Sequence, residues 1–155
     1  MSSTLCLSNL MIRSNCDVCI VSEHKLKDAS LDYLNTIERG YKSVAKAEIL
    51  PPDYKAYHGK RGIAIMYKKS LQFSVNVIEE TGSKRIVGIE LKKQSYGSLY
   101  IFGAYLPSDD SIENYKSELN ILDTLYTYYS NFGNVIVGGD VNSSCLHRQK
   151  CNKCI

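Results

Sequence analysis

Seven short apolar runs, none longer than eight residues, lie between residues 17 and 138, and a single long stretch interrupts them. They fall at 17–22, 41–46, 62–67, 71–77, 85–92, 98–105 and 134–138. Runs this short and this rich in β-branched residues read as strands. The first and last are compact enough to be expected fully buried. The long stretch, 112–129, sets Ile112, Tyr115, Leu119, Leu122, Tyr126 and Tyr129 at alternating steps of three and four. That spacing predicts one apolar stripe on a helix, with the tyrosines serving as packing. A shorter helix is expected over 3–13, with Leu7, Leu10 and Met11 on one side. Another is expected after Asp28 or Ser30 as cap, carrying Leu31, Leu34 and Ile37 inward and ending at Gly40. Strands interleaved with amphipathic helices predict α/β layering.

The chain has 155 residues, 44% of them hydrophobic, which suits one domain with a real core. The net charge of +3 is compatible with a phosphate or nucleic-acid ligand but does not demand one. No apolar window reaches the ~18 residues of a membrane-spanning helix. The apolar N-terminal positions lack a basic leader and are closely followed by Arg13, so an intracellular location, nuclear or cytoplasmic, is expected. With no sign of secretion, Cys6, Cys16 and Cys19 read as small buried hydrophobes and not as disulfide partners.

Two polar clusters directly follow apolar runs: Glu23-His24 and Asp140-Val-Asn142. Ligands of layered α/β proteins gather at the carboxyl ends of strands, where loops converge over a rigid sheet. Gly138 and Gly139 would let the backbone turn and leave room for a ligand. If the extended conformation persists, Asp140 and Asn142 project to the same side, where a carboxylate and an amide can position a water. Glu23 suits a hard cation, which takes oxygen ligands and often only one or two carboxylates. Spacing alone leaves the plainer reading open, in which Glu23 is a solvated strand end and Gly-Gly-Asp-x-Asn is only a turn.

Four segments in order carry a resemblance. They are Cys16-Asp-Val-Cys-Ile-Val-Ser-Glu-His-Lys-Leu26, His58-Gly-Lys-Arg-Gly-Ile-Ala-Ile-Met-Tyr-Lys-Lys69, Gly103-Ala-Tyr-Leu-Pro107 and Val135-Ile-Val-Gly-Gly-Asp-Val-Asn142. Together they resemble the endonuclease/exonuclease/phosphatase superfamily, most of all the endonuclease domain of non-long-terminal-repeat retrotransposons and the apurinic/apyrimidinic endonucleases. The fold that this implies is α/β, a two-layer β-sandwich flanked by helices, DNase I-like. The implied chemistry is metal-dependent hydrolysis of a phosphodiester in nucleic acid, DNA above all. By the resemblance, Glu23 is the Mg²⁺ ligand, with Mn²⁺ as the alternative ion. Tyr105 contacts the scissile phosphate, Asp140 activates or orients the attacking water, and Asn142 helps to hold it. Lys60 and Arg61 are candidates to steer the nucleic-acid backbone, beside the plainer reading of solvated loop residues.

The match covers residues 16–142. The family's opening strand, with its supporting Asn, and its closing Asp and Asp-His strands have no counterpart here, and Gly103 stands where the family usually has Asn. The expectation is therefore a truncated sandwich over 1–142 with weak or absent nuclease activity, since losing a catalytic His costs roughly 10²- to 10⁴-fold. Two other readings stay open: a non-catalytic nucleic-acid-binding remnant, and a phosphatase of the same superfamily acting on phosphoinositides or lipids. In the Cys-rich tail, 143–155, Cys145, His147, Cys151 and Cys154 could hold Zn²⁺, or could be unrelated unstructured sequence.

Overall fold

The computed structural model of the chain describes residues 3–51, 53–56, 58–107 and 112–142. Helix α1 (Ser3–Arg13) leads into strand β1 (Val18–Ser22). A 3₁₀ stretch (Asp28–Tyr33) and the short α2 (Leu34–Ile37) follow, then β2 (Tyr41–Lys46) and β3 (Ile63–Lys68). After them come β4 (Ser74–Ile78), β5 (Ile86–Lys93), β6 (Gly97–Tyr105), α3 (Ile112–Tyr129) and β7 (Asn134–Asp140). The strands form two sheets, ordered β1-β3-β2 and β4-β5-β6-β7. Every pairing is antiparallel except β6 with β7. A parallel pair cannot be closed by a tight turn, so the chain crosses over through α3 between them.

Strand periodicity sorts the apolar residues into three cores. Ile63 and Ile65 of β3 face Val87, Ile89 and Leu91 of β5 and Ile101 and Tyr105 of β6, filling the space between the sheets. The alternate residues of the second sheet, Ile86, Tyr100, Phe102 and Ala104, turn outward and pack on Leu122 of α3. On the other side, Met66 and Tyr41 meet Met11 of α1. The result is helix, sheet, sheet, helix. Gly103 sits where the sheets pack closely, and an added Cβ there would lie 3.1 Å from Ile20 and 3.3 Å from Ile65. An Asn at this position would press the sheets apart.

Several expectations need correction. The capped helix after residue 28 is a 3₁₀ stretch and then four α-helical residues, and the residue before it, Lys27, makes no side-chain cap. Without a cap, the first N–H groups lack the acceptor that stabilises a longer helix. The stripe on α3 is rotated: Leu122, Ile121, Leu125 and Tyr129 pack on the sheet, while Ile112, at 63% exposure, Leu119 and Tyr126 face outward. Tyr129, common to both stripes, packs on Tyr100 and Phe102, with ring centroids 4.7 and 5.3 Å away. The first and last strands are not fully buried, because β1 and β7 each lie at the edge of their sheet among the described residues. Ile136 of β7 is 50% exposed. Cys6 is exposed, and Cys16 and Cys19 are half-buried. Among the described residues no helix is long and apolar enough to cross a membrane.

Candidate active site

The C-terminal ends of β1, β6 and β7 meet the N-terminal ends of β3 and β5 at one pole of the sandwich. Ser22 pairs with Ile63 where β1 ends, and Tyr105 pairs with Asp140 where β6 and β7 end. Beyond β1 the chain is zipped to the loop that enters β3. Glu23 N–H donates to Gly62 O at 2.8 Å, Lys25 N–H to Arg61 O at 2.8 Å, and Gly59 N–H to Lys25 O at 2.8 Å. Across the sandwich, Tyr105 Oη donates to Glu23 Oε1 at 2.7 Å, so the two sheets share one polar centre.

This contact sets the protonation of both groups. Burial first, and then the adjacent Glu23 carboxylate, push the Tyr105 phenol up to about 12, so it is a donor at neutral pH. The same hydrogen bond is the main reason that Glu23 is held below the usual carboxylate range, with Lys25 and Arg61 adding attraction against some desolvation. Lys25 Nζ lies 3.6 Å from Glu23 Oε2, an exposed pair of little energetic weight. Arg61 is fixed more firmly, with Nη1 2.9 Å from Glu48 Oε1.

His24 faces away from this centre and acts as a strut. Leu26 N–H donates to its Nδ1 at 3.1 Å, which leaves the ring proton on Nε2, 3.2 Å from Lys46 O. Its ring lies where a side chain on Gly62 would have to go, and Gly62 has φ +102°, a conformation that favours glycine. Of the five non-glycine residues with positive φ among those described, four surround the pole: Glu23 (56°), Lys25 (54°), Arg61 (51°) and Asn142 (46°). Backbone strain gathered in one place is a mark of functional sites.

Of the residues read from sequence, the structure brings Glu23, Tyr105, Asp140 and Arg61 together. Asn142 does not project beside Asp140 as an extended chain would place it. Asp140 Oδ1 accepts the Asn142 N–H at 3.1 Å, which closes a turn and ends the strand. Asn142 Nδ2 then donates to Leu106 O at 2.7 Å, leaving its amide oxygen as the free end. Lys60 is exposed at the rim with its ammonium 5.3 Å from the Tyr54 ring centroid. A cleft of about 220 Å³ opens beside Tyr105 and includes Arg61, Ser83, Lys84 and Arg85. Lys84 and Arg85 escaped the sequence reading; the only hint was a basic pair following a Gly-Ser turn. Among the described residues no three His, Cys, Asp or Glu side chains gather around one point. The donors at the pole, two carboxylates and an amide oxygen, are nevertheless of the kind a hard cation takes when it keeps most of its shell as water, and Glu23 is the side chain that could hold one. The zinc candidates Cys145, His147, Cys151 and Cys154 lie outside the described residues.

No family model matches the sequence, and no curated protein matches it. Solved structures do match. Danio rerio TDP2 in complex with a single-strand DNA product aligns over 91% of this chain and 54% of its own, at 18% identity and TM-score 0.64. The endonuclease domain of TRAS1, a telomere-specific non-LTR retrotransposon, aligns over 94% and 58%, at 15% and 0.62. The Xenopus laevis APE2 catalytic domain aligns over 89% and 54%, at 22% and 0.61. This chain has the endonuclease/exonuclease/phosphatase fold. It spans about half the length of the structures it matches. At these identities the likeness concerns the α/β sandwich itself, as the sequence resemblance implied.

Proposed function

We propose that the Glu23 pole is a phosphodiesterase centre that hydrolyses nucleic acid, DNA in the first instance, with Mg²⁺ or Mn²⁺ held by Glu23. The observation that carries this reading is the hydrogen bond from Tyr105 to Glu23 beside the Tyr105–Asp140 pairing. It gathers an ionised carboxylate, a protonated phenol and a second carboxylate from three strand ends. One protein with this fold is in complex with a single-strand DNA product and another is the endonuclease domain of a retrotransposon, which supports DNA as the substrate.

The side chains divide the work by charge. Arg61, with Lys84 and Arg85 along the cleft, attracts the phosphate and aligns its backbone. Tyr105 keeps its proton and donates to a phosphate oxygen as negative charge builds there. Asp140 orients a water and accepts its proton as the new P–O bond forms. The P–O bond to the leaving sugar oxygen breaks opposite, and that oxygen takes up a proton from solvent. When bound, a divalent cation supplies neutralisation of the phosphate charge. The Asn142 amide oxygen is positioned to accept from the water. His24 is committed to Leu26 and Lys46 and supplies no acid.

The test is conversion of supercoiled plasmid to nicked circle by the purified chain with Mg²⁺, Mn²⁺ or chelator, beside release of phosphate from a short-chain phosphoinositide. Metal-dependent nicking without phosphoinositide turnover supports the reading. Phosphoinositide turnover without nicking transfers the site to lipid substrates, and binding of DNA with neither reaction makes it a recognition site only.

A further inference from the structure

We propose that the pole opposite Glu23 carries a second nucleic-acid contact, a groove that takes single-stranded DNA or RNA by its bases and phosphates together. The strands place it there. β3 runs from Ile63 at the Glu23 pole to Lys68 at the other, and β5 runs from Ile86 to Lys93 in the same direction. At about 3.3 Å per residue, the two ends are roughly 15–20 Å apart.

The groove has a volume of about 310 Å³. Lys42, Lys68 and Lys69 stand on its walls, and Tyr67, Phe73 and Val75 form its apolar floor. Its lining includes no carboxylate, whereas the cleft at the Glu23 pole contains Glu48 and Glu118. Segments 67–73 and 92–97 frame this pole with four lysines and no Asp or Glu. Among the described residues Lys68 alone of these cations is ion-paired, with Asp17 at 2.7 Å. Lys69 donates to the Arg39 carbonyl at 2.7 Å and has no ion pair among the described residues. Lys93 lies between two rings, 5.5 Å from the Phe73 centroid and 5.2 Å from that of Tyr96.

Lysines beside half-exposed aromatic rings match a ligand that alternates anionic phosphates with flat, stackable bases. A duplex presents the phosphates but keeps its bases stacked inward, so single strands fit this floor better. Because the groove needs no hydrolysis, its fate is separable from that of the Glu23 centre.

The experiment is fluorescence anisotropy of a labelled 20-nucleotide oligo(dT) in chelator, over a range of salt, with the wild-type chain, the double variant Lys42→Glu with Lys69→Glu, and Lys55→Glu with Lys116→Glu, two exposed lysines away from this pole, as a charge-matched control. Circular dichroism melting verifies that each is folded. The expected result is at least tenfold weaker binding in the groove variant. Its log–log salt slope should be shallower by about 1.4, as for two lost contacts to a single strand. The control should stay within threefold. A 4-thiothymidine-substituted strand should photo-crosslink to the peptide bearing Tyr67 and Phe73. Equal weakening in groove variant and control would overturn the proposal. So would crosslinking confined to residues 58–62, or a wild-type chain that binds anionic phospholipid vesicles but not the strand.

Discussion

At the scale of single residues, the Glu23 pole is held by a few directional contacts, and each makes a measurable claim. Tyr105→Phe removes the main cause of the low Glu23 pKa. A carboxyl titration followed by NMR should show Glu23 moving upward in that variant, while an unchanged pKa would mean that Lys25 and Arg61 are sufficient. Gly62→Ala has to place a methyl group where the His24 ring lies, in a backbone conformation that alanine disfavours. A loss of about 1–3 kcal/mol in urea unfolding is expected. Glu90 offers a separate test of acid stability. Its carboxylate accepts from Ser98 Oγ at 2.6 Å and from Asn76 Nδ2 at 2.9 Å, linking three strands, and these hydrogen bonds hold its pKa below the usual range. A depressed folded-state pKa means stability that is present above the unfolded pKa and is lost as pH falls through the folded value. Glu90→Gln should therefore flatten the decline of stability below about pH 4.5, as read by urea midpoints.

At the scale of elements, length and period made the strands and the long helix legible, because a short β-branched apolar run and a three-to-four step each match one backbone geometry. Tyr41–Lys46 and Ile112–Tyr129 lie where the sequence placed them. Which side of α3 faces inward was not legible, since Ile112, Leu119 and Tyr126 form as regular a stripe as the one that packs. The inward side depends on the sheet face that α3 covers, Ile86, Tyr100, Phe102 and Ala104, which is distant in sequence. Leu122→Ala should cost about 2–4 kcal/mol in unfolding free energy, while Leu119→Ala should stay near 0.5 kcal/mol or below. Equal costs would mean that the helix packs by its other face. The edge positions of β1 and β7 were hidden for a related reason, because an apolar run reports burial only when neighbours on both sides are known.

At the scale of the whole molecule, the candidate site was partly readable because its residues follow strands directly. Glu23 and Asp140 each stand at the end of an apolar run, and a sandwich brings such ends to one pole, whereas Tyr105 came only from the family resemblance. The Asn142 turn was not readable, because Asp140 uses its own side chain to end the strand. Lys84 and Arg85 needed the fold, since nothing nearby in sequence ties them to Tyr105. The far groove is likewise a product of topology, which collects lysines from three strands and one turn.

The central claim is that Glu23 and Asp140 belong to one hydrolytic centre, and plasmid nicking by wild type, Glu23→Gln and Asp140→Asn, all verified as folded, tests it most directly. The account predicts slow nicking in Mg²⁺ that stops in chelator and falls at least 100-fold in each variant. Nicking that survives both substitutions would contradict it, and so would a folded wild-type chain that leaves the plasmid intact with either metal.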